Sequence, residues 1–210
     1  MRNNLGVDYV ATVASVNLEG ARIRDVEFLG GLTGLRALDL DRTNVRNLAP
    51  LSGMEKLKVL ILDNTPVQDL GPLQSLSELR RLSIRNTNAS DLTALSTLSQ
   101  LEFFHAQNAP VRDVRPLAAL KNLEMLVLDR TQVEDISALS ELMKLGWLSL
   151  DGTKVQDLNP LLDLKNLERI DIKETSVSSA QVAKFKKALP NCHVDRVRVS
   201  YEELKQSLLD

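Results

Sequence analysis

The residues of this chain that could do chemistry on their own are few and widely separated. The sequence contains one cysteine, Cys192, and two histidines, His105 and His193. His193 follows Cys192 directly, but neighbours in an extended segment point to opposite faces, so the two do not form a metal site. We expect Cys192 to be a small core residue rather than a nucleophile. No glycine-rich phosphate loop, H-E-x-x-H or C-x-x-C motif occurs, and we expect neither a cofactor nor an enzymatic activity.

The composition narrows the classes of partner and location. The chain has 210 residues, a net charge of -2 and 43% hydrophobic residues. This near-neutral balance favours neither nucleic acid nor an anionic membrane as a partner. No apolar run approaches the roughly 18 residues of a spanning helix, and residues 1–12 lack the apolar core of a secretory signal. Because a single cysteine favours a reducing compartment, we expect a protein that is cytoplasmic or delivered from the cytoplasm. An extracellular location stays open if a signal was removed.

A strict internal repeat supplies the elements that would position any site. Each unit follows the pattern L-x-x-L-x-L-x-x-T-x-V-x-D-L-x-P-L-x-x-L, and a weaker copy beginning at Val13 brings the number of units to eight. The segment L-x-x-L-x-L alternates as a short strand does. No unit can bury its leucines alone, so we expect the strands to stack into a parallel sheet. The leucines that open the seven regular units are spaced 22 residues apart and are Leu35, Leu57, Leu79, Leu101, Leu123, Leu145 and Leu167.

This pattern resembles the leucine-rich repeat family, in the 22-residue class shared by internalin-like bacterial proteins and a eukaryotic regulator of a protein phosphatase. The resemblance covers residues 13–194, and the D-L-x-P-L segment is closer to the bacterial style. It implies an α/β repeat fold, a curved leucine-rich-repeat solenoid with a concave parallel β-sheet, short 3-10-like turns on the convex side and a helical C-terminal cap. It also supports binding as a class of function, without naming a partner. One departure is the ninth position, which the family usually fills with Asn and this chain mostly fills with Thr.

Polar residues and prolines recur at fixed positions after each strand. The threonine hydroxyls can satisfy backbone groups of the adjacent turn, and the aspartates can cap the first N–H groups of the next one. The prolines favour a short helical connection over a long helix. These residues are the threonines Thr43, Thr65, Thr87, Thr131, Thr153 and Thr175, the aspartates Asp69, Asp91, Asp113, Asp135 and Asp157, and the prolines Pro50, Pro72, Pro116 and Pro160.

The two ends of the chain depart from the repeat, as the terminal units of a solenoid do. At the N-terminus, Val7 and Val10 match only the last apolar positions of a unit. This predicts a chain that begins midway through a repeat, as a half-repeat that shields the core or as a cut through a longer array, with association through the exposed N-terminal edge. The expected division is a partial repeat or cap at 1–12, repeats at 13–176, a cap helix and final strand at 177–194, and an extension at 195–210.

The C-terminal segment changes period and predicts a true helix. Ser178 or Ser179 can cap its first turn, and the helix should end near Leu189. Cys192 and Val194 then occupy core positions of a ninth strand.

The third, fifth and seventh positions of each strand face away from the leucine core and form the candidate binding surface. The third position carries Phe103, Met125 and Trp147 on three successive strands, a column roughly 10 Å long. We expect these side chains to be exposed, together with the apolar and histidine residues of the fifth position, and we expect arginines to orient a partner. The candidate partner-binding residues are Val59, Ile61, Arg81, Arg85, Phe103, His105, Met125, Val127, Trp147 and Arg169.

Two interpretations of this column remain open from the residues alone. In the structural one, the side chains stack across strands, which contributes roughly 0.2–1 kcal/mol per pair, and Arg81 and Arg169 lie over Phe103 and Trp147 as cation–π partners. In the functional one, an exposed apolar patch marks an interface. Our hypothesis is a non-enzymatic module that binds a protein or peptide on the concave face. The alternatives are a targeting segment of a larger effector or signalling protein, and self-association through the same face.

Acidic residues occupy the seventh position along one edge of the same face. They either frame the binding surface or hydrogen-bond their own turns. Calcium would require several oxygens converging on one point, whereas parallel strands spread these carboxylates apart, so we expect no metal. The residues are Glu19, Asp41, Asp63, Asp129 and Asp151.

Overall fold

The computed structural model describes residues 14–195, and the predictions for the segments before and after this range lie outside the described residues. Nine strands form one parallel sheet in chain order, which confirms the predicted solenoid. Neighbouring repeats pair in register, so that Phe103 lies opposite Met125 and Met125 lies opposite Trp147. The strands are β1 Ser15–Asn17, β2 Ala37–Asp39, β3 Val59–Ile61, β4 Arg81–Ser83, β5 Phe103–His105, β6 Met125–Val127, β7 Trp147–Ser149, β8 Arg169–Asp171 and β9 His193–Asp195.

Short 3-10 helices connect the strands, as the prolines predict. Pro72 and Pro116 stand in the first turn of their helices, where a missing N–H costs nothing. The preceding aspartates cap these helices as expected: Asp69 Oδ1 accepts a hydrogen bond from Gly71 N at 2.7 Å. Within residues 14–195, the 3-10 helices are Glu27–Leu29, Ala49–Leu51, Gly71–Ser75, Thr93–Thr97, Arg115–Ala119, Ser137–Glu141 and Asn159–Leu161.

One continuous hydrophobic core runs through the stacked repeats, and the C-terminal helix closes it. The helix α1 spans Ser179–Ala188, and Ser178 caps it by accepting a hydrogen bond from Gln181 N at 3.2 Å. Phe185 of α1 is fully buried in the core, and Cys192 joins the same core. Burial raises the pKa of the Cys192 thiol to about 11, which keeps it protonated at neutral pH. The expectation of a core cysteine is thus confirmed.

The eighth residue of every repeat adopts a left-handed backbone, a feature not expected from the sequence. Glycine adopts this conformation most readily, and asparagine is the next most tolerant residue type. Three of these asparagines form a ladder, in which Asn86 Nδ2 donates to Asn64 Oδ1 at 2.6 Å and Asn108 Nδ2 donates to Asn86 Oδ1 at 2.7 Å. The eight residues, with φ between 53° and 70°, are Gly20, Arg42, Asn64, Asn86, Asn108, Arg130, Gly152 and Glu174.

The threonines of the ninth position close the same turn, as predicted. Thr87 Oγ1 donates a hydrogen bond to the carbonyl oxygen of Ile84 at 2.7 Å, and Thr131 Oγ1 donates to that of Leu128 at 2.7 Å. In this chain, threonine at the ninth position therefore satisfies the backbone of the turn. Asparagine, where it occurs, lies at the eighth position.

Candidate functional site

The concave face is the side of the sheet that carries the third and fifth positions of each repeat. Its central feature is the aromatic column, which consists of Phe103, Met125 and Trp147. Phe103, Met125 and Trp147 lie side by side on β5, β6 and β7 because these strands pair in register. All three side chains are half-buried, whereas Phe104, the residue after Phe103, is 1% exposed in the core. The predicted in-and-out alternation of the third and fourth positions is therefore confirmed, and the column keeps part of its surface open.

Two arginines hold the ends of the aromatic column. The guanidinium carbon of Arg81 lies 4.9 Å from the ring centroid of Phe103, and that of Arg169 lies 4.9 Å from the ring of Trp147. At partly exposed sites such cation–π contacts contribute about 0.5–1 kcal/mol each. This confirms the cation–π geometry expected from the sequence, and it restricts the rotamers of both rings.

An aspartate on the next strand fixes the orientation of Trp147. The indole Nε1 donates a hydrogen bond to Asp171 Oδ2 at 2.9 Å. Arg169 lies 3.3 Å from the same carboxylate oxygen and 2.8 Å from Asp195 Oδ2. Burial raises the pKa of Asp171 above its ordinary value, although the bond from Trp147 opposes this effect. Asp171 was not among the candidate residues. It could have been found from the sequence, because it lies two residues after Arg169 and therefore faces the same side of the strand next to that of Trp147.

The expectation that Ile61, His105 and Val127 are exposed is wrong. They are 1%, 3% and 1% exposed respectively, although Ile61 and Val127 do not belong to the leucine core. Strands only about 4.8 Å apart bring the fifth-position side chains against one another and against their third-position neighbours, which cover them. Burial lowers the pKa of His105 to about 3, so the imidazole is neutral at physiological pH.

The remaining candidates, Val59 and Arg85, are half-buried. Val59 stands at the third position of β3, and Arg85 follows β4.

The acids of the seventh position bind the next repeat rather than their own turns. Asp129 Oδ1 accepts hydrogen bonds from Ser149 Oγ and from Asp151 N, the latter at 3.1 Å. Asp63 receives the same pair of bonds from its neighbouring repeat, from Ser83 Oγ and from Arg85 N at 2.9 Å. Burial raises the pKa of Asp129 to about 6. These carboxylates tie consecutive repeats together.

A pocket of about 550 Å³ opens beside the aromatic column. Its lining combines the three side chains of the column with second-position residues, including Gly146, and with Lys144, Asn166 and Arg169. The repeat pattern did not predict this pocket. The available signal was that glycine interrupts a second position that is otherwise charged in the regular repeats, as Arg36, Lys58, Arg80, Glu102, Glu124 and Glu168.

The described residues provide neither a metal cluster nor a membrane span. Between residues 14 and 195, no three His, Cys, Asp or Glu side chains converge as metal ligands would. Over the same range, no helix has the length and apolar character needed to cross a bilayer.

Comparison with solved structures places this architecture among bacterial leucine-rich repeat proteins. Internalin C2 of Listeria monocytogenes has a TM-score of 0.83 at 26% identity, over 89% of this chain and 81% of that chain. Internalin F of the same species has a TM-score of 0.62 at 24% identity, over 90% of this chain and 68% of that chain. A leucine-rich repeat protein of Leptospira interrogans has a TM-score of 0.62 at 18% identity, over 88% and 61% of the two chains. No protein-family model and no curated protein matches the sequence.

By its repeat, its parallel sheet and its 3-10 turns, the chain has the architecture of a leucine-rich repeat solenoid. Solenoids of this kind commonly present an extended concave surface to a protein partner.

Proposed function

We propose that this chain is a non-enzymatic module that binds a protein or peptide on its concave face. The observation that carries the proposal is the in-register column of Phe103, Met125 and Trp147, half-exposed on three successive strands. Aromatic residues, methionine and arginine are the types enriched at interfaces. Burying one aromatic side chain removes about 150–250 Å² from water, which makes this column the strongest apolar anchor on the face.

The anchoring side chains are already ordered before a partner arrives. Arg81 and Arg169 stack on the two outer rings, and Asp171 holds the indole of Trp147. Since ordering a flexible side chain opposes association, a preorganised column loses less conformational entropy on binding. The two arginines also provide a polar rim around an apolar centre, which is the usual anatomy of an interface.

The other candidate residues contribute to binding according to how far they are buried. Val59 and Arg85, which are half-buried, serve as peripheral contacts. Ile61, His105 and Val127 shape the floor beneath the partner and do not touch it, because they are buried.

Capture of partners by matched variants tests the proposal. Tagged wild type, Phe103→Ala and Phe28→Ala proteins are incubated with the same lysate of the source organism, and captured proteins are quantified by mass spectrometry. Phe28 is the control because it is an aromatic residue, 60% exposed, in the 3-10 helix of the first repeat rather than on the sheet. We expect a partner that wild type and Phe28→Ala retain equally and that Phe103→Ala loses. Equal capture by all three proteins would refute a role for the concave face.

Self-association through the same column is the competing proposal. The apolar surface of Phe103, Met125 and Trp147 could be covered by a second copy of the chain as well as by another protein. Multi-angle light scattering of wild type and Trp147→Asp separates the two. A wild-type dimer that Trp147→Asp converts to monomer would favour self-association, and a monomer in both cases would favour a different partner.

A further inference from the structure

We infer that the pocket beside the aromatic column receives a lysine or arginine side chain of the partner. The inference rests on the proposed function, because it specifies the chemistry of the protein or peptide that the concave face would bind. Three observations support it: a glycine at the second position of one repeat, an ion pair at the equivalent place elsewhere in the solenoid, and the charges that line the pocket.

A glycine opens the pocket between two carboxylates. Gly146 N donates a hydrogen bond to the carbonyl oxygen of Glu124 at 2.8 Å, and Glu168 N donates to that of Gly146 at 2.8 Å. These bonds set the three residues side by side at the second position of successive repeats. Because Gly146 has no side chain, the space between Glu124 and Glu168 stays open, and all three residues line the pocket.

An earlier pair of repeats shows how a cation can fill such a space. Arg80 occupies the second position of its repeat, and its Nη1 lies 2.7 Å from Oε1 of Glu102, the second-position residue of the next repeat. Gly146 and Glu168 have the same relation in sequence and in the sheet, but the cation is missing from this pair. A guanidinium or ammonium group of a partner can take the place beside Glu168 that Arg80 takes beside Glu102.

The positive side chains of the pocket already have partners within the chain. Lys144 Nζ donates a hydrogen bond to Asn122 Oδ1 at 2.8 Å. Arg169 is paired with Asp171 and Asp195, at 3.3 Å and 2.8 Å. The charge of Arg169 is therefore compensated by two carboxylates, which weakens its repulsion of a second cation.

The negative side chains of the pocket are exposed and available. Within residues 14–195, neither Glu124 nor Glu168 forms a side-chain ion pair or hydrogen bond. Asn122 is neutral, so the ammonium of Lys144 keeps its charge, but the two carboxylates of Glu124 and Glu168 outnumber it and the pocket favours a further positive charge. Phe103, Met125 and Trp147 suit the same ligand, since the methylene stem of lysine or arginine packs on apolar surface and a guanidinium stacks on aromatic rings.

The single tryptophan allows the inference to be tested without a known partner. Trp147 is the only tryptophan in the chain, so its indole N–H gives one signal in a ¹⁵N–¹H correlation spectrum, and it lines the pocket. The probe is N-acetyl-arginine amide. N-acetyl-citrulline amide, which has nearly the same shape without the charge, is the neutral control, and N-acetyl-glutamate amide is the anionic control. We expect a saturable shift of the indole signal with the arginine probe alone.

Three variants locate the response in the pocket. The double variant Glu124→Gln/Glu168→Gln should weaken binding of the arginine probe at least about fivefold. Glu55→Gln/Glu134→Gln removes two exposed carboxylates outside the pocket and should bind as wild type does. Gly146→Arg supplies its own guanidinium, as Arg80 does, and should abolish the response. The dispersion of the same spectra shows whether each variant is folded.

The inference is overturned by an equal response to the citrulline amide, by preferential binding of the glutamate amide, or by undiminished binding to Glu124→Gln/Glu168→Gln. It is also overturned if the arginine probe gives no shift up to about 50 mM. Binding weaker than this would contribute too little free energy to anchor a partner. None of these results affects the proposed function, which is tested separately by partner capture with Phe103→Ala.

Discussion

The indole nitrogen of Trp147 lies 2.9 Å from Oδ2 of Asp171, so the one tryptophan of the concave face is held by a carboxylate on the neighbouring strand. Burial of that carboxylate raises its pKa above the ordinary aspartate value. A charged acceptor forms a stronger hydrogen bond than a neutral one, so the bond should weaken when Asp171 is protonated.

The indole ¹⁵N–¹H signal of Trp147 should therefore titrate with Asp171. On acidification, we expect the signal to move in a single transition whose midpoint lies above about 3.9, the pKa of an unperturbed aspartate. Asp171→Asn keeps an acceptor but has no charge to lose, so its indole signal should not move over the same pH range. A transition that persists in Asp171→Asn would show that another group controls the indole.

The alternation of the strand predicts unequal effects of two adjacent truncations. Leu126→Ala should lower the free energy of unfolding by roughly 2–5 kcal/mol, because this leucine is 0% exposed and its loss leaves a cavity between packed repeats. Met125→Ala should cost far less, because Met125 is half-buried on the concave face. Urea titration of the two variants measures both values. Equal losses would contradict the assignment of the inner and outer faces.

Asp129 should make the protein less stable as the pH rises towards neutrality. Its pKa is about 6 in the folded chain and about 3.9 when unfolded. Between these values, the folded state retains a proton that the unfolded state has lost, so the free energy of unfolding falls as the pH increases through this window. Above about pH 6 the full penalty of a buried charge is present.

Removing that charge gives the corresponding measurement. Asp129→Asn can still accept hydrogen bonds from Ser149 and Asp151, and it should raise the free energy of unfolding by about 1 kcal/mol at pH 7. At pH 4, where the folded carboxyl is already protonated, the variant and wild type should differ much less. Asp163→Asn, at an exposed position, is the control and should show no such pH dependence. Destabilisation by Asp129→Asn at pH 7 would contradict the raised pKa.

Features that depend on the period of the repeat could be predicted from the sequence. The alternation of Phe103 and Phe104, the cap by Asp69 and the cap of α1 by Ser178 each follow from one residue type at one position. Such local rules hold because every unit repeats the same backbone path, and a strict 22-residue spacing leaves no room for another path.

Features that depend on contacts between repeats were harder to predict. The burial of His105 results from crowding by side chains on both adjacent strands, and a single-strand alternation says nothing about that. The bond from Trp147 to Asp171 joins different positions of different repeats, so no column of the repeat alignment contains it. The gap at Gly146 was visible as an interruption of a charged column, but its importance depends on the neighbouring Glu168 and Trp147.

The affinity of a captured partner for Trp147→Ala tests the central claim most directly. Titration calorimetry with the purified partner, run beside urea unfolding of the same variant, separates a role in binding from a role in folding. If the aromatic column is the binding anchor, Trp147→Ala should weaken binding by about 2 kcal/mol, roughly 30-fold. The free energy of unfolding should fall by about 1–2 kcal/mol, because the contact with Arg169 and the hydrogen bond to Asp171 are lost. Undiminished affinity together with a large loss of stability would contradict the account and show that the column serves only to hold the sheet together.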